Sequence, residues 1–161
     1  MNETSTAEQN FSIQKIYIKD SSFESPAAPQ SFQFTQWNPK IDLNLSNKQT
    51  RIDEGLYEIV LSVTATVTQD DSTAFLVEVH QAGLFRIVGF DDQHKGYLLG
   101  SQCMSILFPY VREAISDLSV RGGFPPLVMT PVNFDALYQQ HMEKQKEKAA
   151  DEDTPAAEVT H

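Results

Sequence analysis

At 161 residues, with 40% hydrophobic composition, the chain is long enough to bury the core of one domain. Its formal net charge of −10 argues against nucleic-acid backbone binding as a main function and favours an attraction for basic partners. Cys103 is the one cysteine and sits in apolar sequence, which rules out a disulfide framework and fits a buried thiol in a reducing cytoplasm.

The amino-terminal MNETSTAEQN has neither the basic flank nor the apolar run of a signal peptide, and residues 1–10 are expected to be disordered. No apolar stretch approaches the ~20 residues that a membrane-spanning helix needs, so direct membrane insertion is not expected. Phe11 to Asp20 (FSIQKIYIKD) alternates imperfectly and reads as a strand. Ser25 to Gln36 carries Pro26, Pro29, Phe32 and Phe34, a loop whose prolines forbid a central strand. Trp37 to Leu45 predicts a short strand, and the polar span Ser46 to Gly55 connects it to a hairpin.

That hairpin, from Leu56 to Val88, is long and is the strongest signal in the chain. Tyr57, Ile59, Leu61, Val63, Ala65 and Val67 share one face of its first arm. Phe75, Val77, Val79, Gln81, Gly83, Phe85 and Ile87 share one face of the return arm, with Leu76, Glu78 and His80 on the other. The polar residues Gln69 to Thr73 form the turn between them. Gly89 to Gly96 reads as a loop. Tyr97 to Val120 then reads as a helix with a wide apolar stripe, kinked or restarted at Pro109 and stopped by Gly122-Gly123. A stripe that wide predicts burial between two layers, one of them another subunit. A second helix starts after Asn133 as its N-cap and carries Phe134, Leu137, Tyr138, His141 and Met142 on one face. Beyond Lys144 the sequence is a polar tail, so residues 11–144 form the single domain and 145–161 an acidic, disordered tail.

No phosphate loop, metal-ligand spacing or nucleophile motif is visible, and the four histidines are scattered. His80 reads as an exposed strand residue. Asp20, Glu24, Glu58 and Glu78 read as a solvated polar face, and an enzyme is not expected.

The FLVEV hairpin, ILFPYVRE, RGGFPPL and PVNFDALY, preceded by IYIKDSSFESPAAP, resemble in this order the SecB protein-export chaperones. The resemblance spans Phe11 to Tyr138. It implies an α+β fold, a four-stranded antiparallel sheet with two helices packed on one face, assembled as a dimer of dimers (a homotetramer). It further implies a holdase that binds unfolded precursor proteins and delivers them to the SecA motor ATPase, with no cofactor of its own. Carried over to this chain, the SecA-contacting residues are Asp20, Glu24, Leu76 and Glu78. Val77, Val79, Gln81 and Cys103 fall at a subunit interface. Client contacts are expected from Phe32, Phe34, Trp37, Tyr110, Phe124, Phe134 and Leu137. A SecB-like chaperone dedicated to a narrow client such as an antitoxin, and a small enzyme with an unrecognised site, are the competing readings.

Overall fold

The computed structural model describes residues 8–153. Four strands, β1 (Asn10–Glu24), β2 (Lys40–Asp53), β3 (Leu56–Gln69) and β4 (Ser72–Val88), form one antiparallel sheet in the order β1-β4-β3-β2. The predicted hairpin is its centre. Gln69 pairs with Ser72 across a two-residue turn in which Asp70 and Asp71 both take positive φ (51° and 61°). Such a turn matches the twist of the flanking strands, and Asp tolerates the left-handed region better than most residues. The face assignment also holds: Ile59, Leu61, Val63, Ala65, Val67, Phe75, Val77, Val79, Phe85 and Ile87 are all buried.

The outer strands are longer than their sequences suggested. β1 runs on to Glu24, and register shifts between Ile13 and Lys15 and between Ile18 and Asp20 explain its imperfect alternation, since each moves the following side chains to the other face. β2 continues through the span expected to be a connection, pairing with β3 as far as Asp53 opposite Leu56. An edge strand needs backbone partners on one side only, and the strong β3 supplies them whatever the side chains of residues 46–51 are. The reversal is completed at Gly55, whose φ of +68° suits glycine and where a Cβ would collide with the Val88 side chain.

The helical half also begins earlier than expected. Asp91 caps α1 (Asp92–Tyr97), its side chain accepting from the His94 amide at 2.8 Å. A π turn at Leu98–Gln102 leads directly into α2 (Cys103–Arg121). Pro109 neither stops nor restarts α2. It costs a backbone bond, but the buried Leu107, Phe108 and Val111 around it keep the helix seated on the sheet. Gly122 and Gly123 end the helix as predicted, and Gly123 takes φ +89°. The Ser119 hydroxyl then accepts from the Leu127 amide at 3.0 Å and ties the irregular segment after α2 to the helix.

α3 (Phe134–Glu152) starts where expected, with Asn133 accepting from the Ala136 amide at 3.0 Å. It extends past Lys144, against the expectation of a tail there. Ala, Glu, Gln and Lys are strong helix formers, so the helix persists without burying anything beyond its first turns. Of the two helical arms, only α2 lies on the sheet; α3 docks chiefly on the π turn. No helix among the described residues is long and apolar enough to cross a membrane.

Candidate functional site

Two surfaces sit at the same end of the sheet, on its opposite faces. The outer face carries the acidic one. The register sets Glu24 opposite Leu76, Ser22 opposite Glu78 and Asp20 opposite His80. Directly opposed residues of an antiparallel pair share a face. Asp20, Glu24, Leu76 and Glu78 thus form one patch on β1 and β4, with both β1 carboxylates exposed. His80 lies within it, its two ring nitrogens 2.6 Å from Ser62 Oγ and 2.6 Å from Glu78 Oε1. It is therefore not the free surface histidine its strand position suggested. Period-two patterning gave its face correctly but could not name its neighbours on the adjacent strand.

Further along the same face, Glu58 of β3 accepts from Lys19 Nζ at 2.7 Å and from the Tyr17 hydroxyl, reaching diagonally across β4, where Ala82 is opposite Tyr17 and Leu84 is opposite Glu58. The Lys19 bond, then the Tyr17 bond, hold the Glu58 carboxyl below its usual range. Burial, reinforced by the Glu58 bond, pushes the Tyr17 phenol up to about 12. The carboxylates of this face are thus unequal: Glu58 is neutralised by a lysine, while Asp20 and Glu24 have no lysine or arginine partner among the described residues.

The second surface is aromatic. Phe124, which lies just beyond α2, has its ring 4.8 Å from Phe75, 5.0 Å from Phe32 and 5.8 Å from Trp37, and Trp37 is 4.9 Å from Phe34. Phe23, from the inner face of β1, adds a ring 5.4 Å from Phe75. The cluster is graded from inside to outside: Phe75 and Phe124 are buried, Trp37 and Phe34 half-buried, and Phe32 is 43% exposed. Gln69 braces the loop that carries Trp37, accepting from the Asn38 amide at 3.0 Å and donating to the Gln36 carbonyl at 2.8 Å. A cleft of about 240 Å³ runs beside the cluster between Ala27, Ser31, Phe34 and Asp70. It is small and open, unlike the enclosed pockets of ~300–1,000 Å³ that take drug-sized ligands.

Four of the seven expected client residues, Phe32, Phe34, Trp37 and Phe124, thus meet in one place. The other three do not join them. Phe134 is buried, its ring 5.6 Å from Phe108, while Tyr110 on α2 and Leu137 on α3 are 50% and 48% exposed. Phe23 and Phe75 also belong to the cluster, although strand patterning shows only that Phe75 faces the core and nothing of the rings it meets. Val77, Val79 and Cys103 are fully buried in the core that α2 makes with the sheet of its own chain. Gln81 is buried with them and donates to the Tyr17 carbonyl at 3.1 Å, between the two irregularities of β1. Burial alone pushes the Cys103 thiol up to about 12.

A family profile described as "Preprotein translocase subunit SecB" matches residues 4–145. The chain belongs to the SecB family. The protein-export protein SecB of Methylococcus capsulatus is 51% identical over 147 residues, covering 91% of this chain and 94% of the relative. That of Nitrosococcus oceani is 53% identical and covers 94% of this chain and 89% of the relative. That of Legionella pneumophila is 53% identical, covering 91% of each. A solved SecB-like chaperone of Mycobacterium tuberculosis, bound to a peptide from an antitoxin, superposes with a TM-score of 0.62. It covers 76% of this chain and 90% of its own, at 18% identity. At that identity the likeness shows the SecB fold and nothing of the client. The antitoxin reading is not favoured, because these relatives near 50% identity are all protein-export proteins.

Proposed function

We propose that this SecB chain acts as a cytoplasmic holdase of the Sec export pathway that keeps non-native precursors unfolded on its aromatic surface and hands them to SecA at its acidic one. The reading rests on one observation: the exposed rim of the ring cluster and the Asp20–Glu24–Leu76–Glu78 patch lie on opposite faces of the same strand ends. A client on one face leaves the other free for the motor.

Each surface has the chemistry its role needs. Apolar contact is non-directional, so half-exposed rings on a braced loop can take many unfolded sequences without reading any of them. The carboxylates suit a basic partner, where complementary charge speeds encounter and sets register, while Leu76 between them adds buried area. Neither role involves bond-making, a nucleotide or a cofactor. Assembly as a dimer of dimers is supported by apolar side chains that one protomer leaves exposed, among them Ile13 and Ile18 on β1, Ile41 and Leu43 on β2, and Tyr110 and Val120 on α2.

Calorimetric titration of Glu78→Lys and Leu76→Ala with SecA and with a permanently unfolded precursor, at two salt concentrations, tests the division of surfaces. Glu78→Lys weakens SecA binding, more at low salt than at high, and Leu76→Ala weakens it with little salt dependence. Precursor binding stays near wild type in both, and the precursor alone shifts or quenches Trp37 emission. Loss of SecA and precursor together in Glu78→Lys refutes the division, and light scattering of the same samples reports the assembly.

A further inference from the structure

Ser62, His80 and Glu78 form a hydrogen-bonded chain on the outer face of the sheet. Ser62 and His80 are directly opposed on β3 and β4, and Glu78 lies two residues along β4 on the same face. His80 Nδ1 is 2.6 Å from Ser62 Oγ and Nε2 is 2.6 Å from Glu78 Oε1. From the other side Asp20 of β1 is the residue opposed to His80. The imidazole therefore stands on the central strand of this face, with the acidic residue Asp20 on one side and Ser62 on the other.

Donor and acceptor roles are set by the chemistry of the groups. An ionised carboxylate only accepts, so Nε2 carries the hydrogen directed at Glu78. In a neutral ring Nδ1 is then the acceptor, and the Ser62 hydroxyl donates to it. Glu78 thus selects the tautomer, Ser62 donates to the nitrogen left free, and the Nε2–H bond holds Glu78 in one rotamer. The same three residue types make hydrolase triads, but here they sit in mid-strand. The neighbouring amides are used by the sheet ladder, so no pair of free N–H groups is at hand to hold an oxyanion. The side chains of His80 and Glu78 are 29% and 45% exposed, leaving Glu78 open to a macromolecular partner.

We propose that His80 is a positioning residue for the SecA-facing carboxylate: it holds Glu78 in the conformation that a basic surface meets. The proposal rests on the assignment of this patch to SecA. A long side chain that is free in solution loses its freedom on docking, whereas one already held does not. Removing the His80 bond should therefore weaken binding by about two- to tenfold.

The experiment is titration of SecA into the full chain carrying Glu78→Gln, His80→Ala, His80→Gln or the Glu78→Gln/His80→Ala pair, after melting curves show that each is folded. Expected are weaker binding in Glu78→Gln and in His80→Ala, near wild-type binding in His80→Gln, whose amide can still donate to Glu78, and no further loss from His80→Ala in the Glu78→Gln background. Imidazole nitrogen NMR without SecA should show the Nε2–H tautomer in the wild type and a mixture in Glu78→Gln, whose amide can accept or donate. If Glu78→Gln weakens binding while His80→Ala does not, or if the His80→Ala loss persists in the Glu78→Gln background, the positioning role is wrong and the surface assignment stands. If Glu78→Gln leaves SecA binding unchanged, the surface assignment itself fails and the proposal falls with it. An Nδ1–H tautomer in the wild type also overturns it.

Discussion

Gly122 offers a sharp test of how the aromatic surface is built. It closes α2 with φ −75° and ψ −3°, a conformation open to any residue, so alanine introduces no backbone strain. The obstacle is steric. A Cβ there would run into the ring of Phe23, at Cζ and Cε1, with Cε2 at 3.0 Å. Phe23 cannot retreat freely, because its ring is stacked 5.4 Å from Phe75 and lies 6.5 Å from Phe124. Overpacking of this kind costs about 1–3 kcal/mol, against a gain of about 0.4–1 kcal/mol from the stiffer unfolded chain. The expected result for Gly122→Ala is a net loss of about 1–2 kcal/mol. At about 2–4 °C per kcal/mol for a domain of this size, that lowers Tm by about 2–8 °C. Calorimetry of Gly122→Ala, Phe23→Leu and the double variant measures the coupling, and the same samples report precursor affinity through Trp37. Because the cost is assigned to the Phe23 ring, Gly122→Ala should cost nothing further once that ring is gone. A Gly122→Ala protein that melts at or above wild type, or one that loses as much in the Phe23→Leu background, refutes the argument.

Three further outcomes are expected. Val79 is fully buried beneath α2, so Val79→Trp should destabilise the protomer by about 1–3 kcal/mol; a thermal melt that does not move is the contrary result. The Cys103 thiol, pushed up to about 12 by burial, should resist a disulfide reagent at about pH 8 in the native protein and react fully in urea; rapid native labelling contradicts its placement. The Glu58 carboxyl is held below its ordinary value of 4.5 in the fold, so its stabilisation is present above that pH and is lost as pH falls through the lower folded value. Urea melts at about pH 7 and about pH 3 should therefore differ less for Glu58→Gln than for wild type, and an equal difference excludes the Lys19–Glu58–Tyr17 network as a source of acid sensitivity.

The central hairpin, its buried face, the Asn133 cap and the Gly122-Gly123 stop can be read from the chain alone, because each is written in neighbouring residues. Alternation in Leu56–Val88 reports the two faces of a pleated strand, and caps are short-range hydrogen bonds. The order of its motifs also carried the family. How far β2 runs depends on long-range pairing, since residues 46–51 are strand because β3 offers them a partner, not because their side chains favour it. Tertiary packing likewise absorbs Pro109 inside α2, where contact with the sheet outweighs the lost bond. The functional surfaces divide in the same way. Periodicity placed Leu76, Glu78 and His80 on the outer face, but that Asp20 and Glu24 join them depends on the β1–β4 register and its two irregularities. Phe23, Phe75 and Phe124 come from three distant parts of the chain, and local pattern states which way a side chain points without stating what it meets. The link from His80 to Ser62 is of that kind: it crosses from β4 to β3, and only strand pairing creates it.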